Sequence, residues 1–271
     1  HFDLANNYGP SYGSAEETFG QIMKSSFAPY RDELFISTKA GHDMWPGPYG
    51  NWGSRKHLMA SLDQSLKRMN LDYVDVFYSH RYDPETPLEE TLQALVDIVR
   101  KGKALYVGLS KYPLDAYLFA SRYLKERDVP CLLYQGRYSM LVREPESQGI
   151  LNAVKENGSG FVAFSPLAQG LLTNRYLNGI PDNSRIARGG FLKKEALTPE
   201  VLSKIQALNE RAAMRGQSLA EMALAWLLKN ETVTSVIVGA SSVEQLGDSL
   251  KTLNHLSFEE EELHAIEKIL M

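Results

Sequence analysis

Strand-like apolar runs and helix-like amphipathic runs alternate along all 271 residues, and this alternation limits the fold more than any other feature. The strand-like runs cover about 1–5, 33–39, 73–79, 104–109, 131–134, 161–164 and 234–238. Ser14-Ala15-Glu16-Glu17 and Ser242-Val243-Glu244-Gln245 have capping-box form, and Ser54 and Pro87 also suit helix starts. Further helical runs span about 114–126, 147–157, 199–215 and 218–229, and a last one runs from about Ser257 to the end. Strict β/α alternation with short connections predicts an α/β fold, a parallel sheet with helices outside it. Seven strands are one fewer than a (β/α)8 TIM barrel needs. The chain begins inside a strand and without Met, so the first barrel strand is expected to be absent from it. A single barrel domain over 1–271 is the expectation. A doubly wound open sheet is the alternative, and the lack of a GxGxxG after any strand counts against it.

In a barrel every strand C-terminus opens on one face, where catalysis sits. Three strand ends carry reactive groups. Asp3 closes the first apolar run and Tyr8 follows it on an Asn-Asn turn. Lys39 ends the second and His80 ends the third. A carboxylate in a strand is costly unless paired, and Lys39 is a natural partner for Asp3. Tyrosine ionises near pH 10, too high for proton transfer at neutrality, and an adjacent ammonium favours its phenolate. Asp3, Tyr8, Lys39 and His80 together suit reduction of a carbonyl, with hydride going to carbon and a proton from Tyr8 to oxygen. Each alone is more often a packing or surface residue; four at successive strand ends are not readily accidental.

Other strand ends fit a flat, anionic cofactor. Ser110 and Gln135 can bind an amide, and Phe164 can stack on a ring. Gly239-Ala240-Ser241 precedes a helix start, a form that binds phosphate. Residues 175–194 hold five basic side chains, Arg175 and Arg185 among them, against Asp182. That cluster suits either an anion cover or a solvated loop. Residues 41–53 hold four glycines and two prolines, so they form a loop, with Trp45, Tyr49 and Trp52 as a candidate substrate wall. His42, His57, His255 and His264 have no clustered partners in sequence and read as surface or loop residues.

A net charge of −4 argues against a nucleic-acid partner, and no apolar run approaches the length of a membrane span. One cysteine, Cys131, fits a reducing compartment such as the cytoplasm.

Asp3-Leu-Ala-Asn-Asn-Tyr8-Gly9, Ser37-Thr38-Lys39, Tyr78-Ser79-His80-Arg81, Val107-Gly108-Leu109-Ser110, Ser165-Pro166-Leu167-Ala168-Gln169-Gly170 and Gly239-Ala240-Ser241 together resemble the aldo-keto reductase superfamily, in order and over the whole chain. The 39–50 and 176–181 stretches most resemble its bacterial glyceraldehyde-3-phosphate reductase branch, which is close to the β subunits of voltage-gated potassium channels.

The resemblance implies a (β/α)8 barrel that binds NADPH/NADP+ and reduces small aldehydes. It implies Tyr8 as general acid, Lys39 and Asp3 tuning it, and His80 orienting the carbonyl. Ser110 and Gln135 would hold the nicotinamide carboxamide, and Phe164 would stack on its ring. Ser165, Leu167 and Gly170 would line the pyrophosphate. Arg175, Arg185, Gly239, Ser241, Gln245 and Asp248 would lie along the adenosine end. Lys111 stands where relatives carry other residues and receives no role. Homo-oligomers, tetramer or octamer, occur among relatives. A nicotinamide-sensing accessory subunit with weak catalysis is the alternative function, and a Lys39 Schiff-base aldolase is a third.

Overall fold

The computed structural model describes residues 1–177, 179–181 and 193–271. Its strands are β1 (Phe2–Asp3), β2 (Ile36–Ala40), β3 (Val74–Ser79), β4 (Ala104–Ser110), β5 (Cys131–Arg137), β6 (Gly160–Phe164) and β7 (Val233–Val236). Its α-helices are α1 (Ser14–Ile22), α2 (Arg55–Met69), α3 (Leu88–Arg100), α4 (Leu114–Lys125), α5 (Glu144–Ser147), α6 (Ile150–Glu156), α7 (Pro199–Met214), α8 (Leu219–Leu228), α9 (Val243–Lys251) and α10 (Glu260–Leu270). The alternation predicted from sequence is present throughout. Among the described residues no helix is long and apolar enough to cross a membrane.

The chain forms two compact units, residues 1–135 with 149–160, and residues 136–148 with 161–271. In the first unit β1 to β5 pair in sequence order and all in parallel. Every residue of β2 and β3 is buried, as strands covered on both faces require. The register sets Asp3 beside Ser37, Lys39 beside Tyr78, and Ser110 beside Gln135. A parallel ladder therefore brings the strand ends together without any sequence proximity.

Side-chain alternation divides β2 between two tasks. Ser37 and Lys39 turn to Asp3, while Thr38 points the other way to Glu16 of α1, 2.5 Å away. Glu16 is fully buried and also takes Arg68 Nε of α2 at 2.7 Å. The capping box expected at Ser14 is therefore not made. Gly13 holds the N-cap with no side-chain bond, and Glu16 is spent on Thr38 and Arg68. The next helix follows expectation, Ser54 accepting from the His57 N–H. Asp75 caps the start of β2 by accepting the Ile36 N–H at 2.8 Å and pairing with Arg31 at 3.0 Å. β2 starts later than predicted because residues 30–34 turn, with Glu33 N–H on the Tyr30 carbonyl. In β4, Gly108 is a requirement of packing, because a Cβ there would lie 2.3 Å from the buried Tyr78 ring.

In the second unit β6 and β7 pair in parallel. Its core gathers around α8, whose Met222 to Leu227 are all buried, with Tyr138 and Phe161 packing as rings 5.9 Å apart. Ser218 and Glu221 complete a capping box that fixes the start of α8. A second completed box, Glu259 with Glu262, starts α10 just after the predicted Ser257. At α9 only half the predicted box forms: Ser242 caps the Gln245 N–H, while Gln245 turns its side chain to Ser241. The helix expected over 147–157 is instead two, α5 and α6, divided at Gly149 with φ 76°.

Candidate active site

The first unit holds the four acid–base candidates in one place. Lys39 Nζ lies 2.6 Å from Asp3 Oδ2 and donates to the Leu4 carbonyl at 2.7 Å. The other Asp3 oxygen accepts from Gln135 Nε2 at 2.9 Å and Ser37 Oγ at 3.0 Å. Lys39 is fully buried and Asp3 nearly so, so the pair is held in a medium where an uncompensated charge would be costly. The ammonium lies 5.0 Å from the centre of the Tyr8 ring. Tyr8 is about one-third exposed, at 36 %, which leaves its ring open to a ligand.

His80 meets the Tyr8 ring edge-on, centroids 5.8 Å apart, and is itself 6 % exposed. Burial holds its pKa far below the usual histidine range, with the cations of Lys39, Lys111 and Arg81 and the His42 ring adding to the shift. His80 is therefore neutral at physiological pH. Its Nδ1 is buried and has no partner among the described residues. Ser110 Oγ is in the same condition. A buried polar atom without a partner costs free energy until a ligand supplies one, and a carboxamide beside Ser110 would do so.

The structure corrects the reading of two histidines. His42 is no isolated loop residue: its ring packs edge-on against His80 at 4.5 Å, and its Nε2 lies 3.0 Å from Lys111 Nζ. Burial, with Lys111 and Arg81 beside it, lowers its pKa to about 4. His57 is fully buried, bonds the Tyr49 carbonyl through Nδ1 at 2.9 Å, and packs on Trp45. His255 and His264 are exposed as expected. His42 lies three residues past Lys39 on a strand-end loop, which was the signal available for it.

The aromatic loop is tied down by its neighbours. Arg81 Nε donates to the Gly41 carbonyl at 2.8 Å, its Nη2 to Asn51 Oδ1 at 2.7 Å, and its guanidinium stacks 3.6 Å from the Trp52 ring. Buried Asp83 accepts the Gly53 N–H at 2.9 Å. Trp45 and Trp52 line a cavity of about 670 Å³ with Tyr12 and Asp43. Tyr49 is not among its lining residues and lies under Lys56 instead, 4.5 Å from the ammonium.

The second unit contains a cavity of about 600 Å³ at the ends of β6 and β7. Ser165, Leu167, Gly170, Arg175, Gly239, Gln245 and Asp248 all line it. Three non-glycine residues of the loop after Phe164, Ser165, Ala168 and Gln169, have positive φ. Such strain persists where the surrounding structure enforces it and is concentrated at ligand sites. Ser241 stands beside the cavity, its N–H and Oγ both on Gln245 Oε1 at 2.8 and 3.0 Å. Asp248 pairs with Lys251 at 2.7 Å. Arg185 lies outside the described residues.

A cavity that carries Arg175, beside a helix start capped by Ser242, and a strained loop suit a phosphate-bearing group. Comparison with known proteins decides what kind of chain this is. The family model for the aldo/keto reductase family matches residues 1–271. The chain belongs to that family. It is 56% identical over 273 residues to the L-glyceraldehyde 3-phosphate reductase of Escherichia coli O157:H7, covering 99% of this chain and 79% of that one. It is 36% identical over 259 residues to a probable voltage-gated potassium channel β subunit of Arabidopsis thaliana, covering 93% and 77%. Among solved structures, a thermostable aldo-keto reductase in complex with the inhibitor epalrestat superposes with a TM-score of 0.74 at 29% identity, covering 99% of this chain and 81% of that one. This aldo-keto reductase is thus an oxidoreductase with a TIM-barrel-type α/β fold.

Proposed function

We propose that this aldo-keto reductase reduces short aldehydes with NADPH, phosphorylated ones such as L-glyceraldehyde 3-phosphate included, and that Tyr8 delivers the proton. The observation that carries this reading is the buried Asp3–Lys39 pair under the open Tyr8 ring, with a neutral His80 at its edge. NADP dependence is typical of the family, and the substrate follows the name of the 56% identical relative.

The bound cofactor supplies the hydride. Tyr8 Oη donates the proton to the carbonyl oxygen as negative charge develops there. The Lys39 ammonium favours the tyrosinate left behind, and Asp3 keeps that ammonium charged and in place. His80, neutral, donates a hydrogen bond that orients the carbonyl. Ser110 and Gln135 hold the carboxamide of the nicotinamide, the orphaned Ser110 hydroxyl supporting that role. Phe164 supports the ring. Ser165, Leu167 and Gly170 bind the pyrophosphate, and Arg175, Arg185, Gly239, Ser241, Gln245 and Asp248 bind the adenosine end. Trp45, Tyr49 and Trp52 form the substrate wall. The reducing cytoplasm suits the lone Cys131.

The test is NADPH consumption with a panel of short aldehydes, for the wild type and Tyr8→Phe. Loss of about 10²-fold or more in kcat, with NADPH affinity retained, is the expected result. Tight NADPH binding with no turnover on any aldehyde would replace this reading with that of a nicotinamide-sensing accessory subunit.

A further inference from the structure

Lys111 follows the carboxamide candidate Ser110 and has no part in the scheme above. It leaves β4 with φ 55°, its N–H bonded to the Gln135 carbonyl at 3.1 Å. A left-handed conformation at a lysine is uncommon, and it persists only where the surroundings enforce it. The side chain so placed reaches the His42 Nε2 at 3.0 Å, and His42 packs on His80 at 4.5 Å. Arg81 completes a basic wall on this side of His80.

The charges of this wall are unevenly balanced. Lys39 has Asp3 at 2.6 Å. Arg81 feels Asp43 and Asp83, and His42 feels Asp43. Lys111 has no carboxylate partner among the described residues, and the charged groups acting on it are Arg81 and Lys39, both cations. Burial and those like charges lower its pKa. Its hydrogen-bond partner is a neutral imidazole. An exposed ammonium with cations as its charged neighbours is open to an anion, which would relieve that like-charge repulsion.

We propose that Lys111, backed by His42 and Arg81, binds the phosphate of a short phosphorylated aldehyde and so selects phosphorylated over neutral substrates. This rests on the reading of Tyr8 and His80 as the place of the carbonyl. In an extended three-carbon phosphate the phosphorus lies about 5 Å from the carbonyl carbon, by ordinary bond lengths. His42 stands between His80 and Lys111, its ring 4.5 Å from that of His80 and its Nε2 3.0 Å from the ammonium. The phosphate dianion accepts from the ammonium and the guanidinium side, and His42 keeps Lys111 turned to the site.

The experiment is calorimetric titration of glycerol 3-phosphate, the alcohol that reduction of glyceraldehyde 3-phosphate would yield, into the NADP+-saturated chain. Saturation keeps the ligand out of the phosphate cavity of the second unit. Lys111→Met should weaken binding about tenfold or more, as for loss of a charged hydrogen bond. Lys111→Arg should hold it within about threefold, since the guanidinium also binds phosphate. Lys111→Gln serves as the uncharged variant if the methionine does not fold. The ratio of kcat/KM for glyceraldehyde 3-phosphate to that for glyceraldehyde should fall by a similar factor. Equal affinity in wild type and uncharged variants, or no binding to the wild type, overturns the assignment of Lys111. Absence of turnover of either aldehyde by the wild type, with glycerol 3-phosphate bound through Lys111, overturns the reductase reading and leaves the phosphate site standing.

Discussion

At the scale of single residues the site depends on which groups remain uncharged. His42 and His80 are held neutral by burial and by nearby cations, both pKa values lying below the ordinary histidine value of 6.5. His57, buried against Tyr49 and Trp45, is shifted the same way. Between about pH 6.5 and 4 the unfolded chain therefore binds protons at these positions that the folded chain refuses. The unfolded state holds more protons in that window, so stability rises with pH across it and is lost as pH falls. Urea midpoints measured across that window should decline on acidification, and His42→Gln should flatten part of the decline. A midpoint independent of pH there would contradict the buried, neutral state of these rings.

Elements carry the site through few contacts. α1 is fixed to β2 by Glu16, fully buried between Thr38 and Arg68. Thr38 and Lys39 are consecutive, so this anchor and the buried lysine paired with Asp3 share one short strand. Glu16→Ala leaves a partly buried guanidinium and a buried hydroxyl without their acceptor. It should cost about 2–4 kcal/mol in denaturant titration. Combined with Arg68→Ala the loss should be well below additive, because the second change removes the stranded charge. A single-mutant cost under about 0.5 kcal/mol, the range of ordinary surface substitutions, would show that α1 is held by other contacts. The loop of 41–53 is ordered in a similar way. Its bonds to Arg81 and Asp83, on the loop after β3, and to His57 of α2 come from two other parts of the chain, so its conformation is set by groups outside itself.

At the scale of the whole molecule, each compact unit holds one of the candidate features. The acid–base cluster belongs to the first and the strained loop with its 600 Å³ cavity to the second. A ligand that binds the folded chain alone stabilises it by mass action. NADP+ at a hundredfold excess over its dissociation constant should add about 2.7 kcal/mol, read as a rise in Tm that grows with concentration. A Tm unmoved by NADP+ would oppose the cofactor assignment.

The sequence by itself determined the order of strands and helices, the parallel pairing that such alternation requires, and the strand-end acid, lysine and histidine, because periodicity and strand-end position are local properties. It also marked Ser54 as a helix cap. Tertiary structure alone decided the rest. The spacing of Ser14 and Glu16-Glu17 suited a capping box, yet Glu16 gains more from the buried Thr38 and Arg68 than from a helix end. Gly149 divided a run that periodicity joined. His42 and His57 looked unclustered, and Lys111 received no role, because their partners lie 8 to 69 residues away along the chain. Only the folded sheet brings those partners within bonding distance, and burial then removes the charge from the imidazoles and leaves the ammonium among cations.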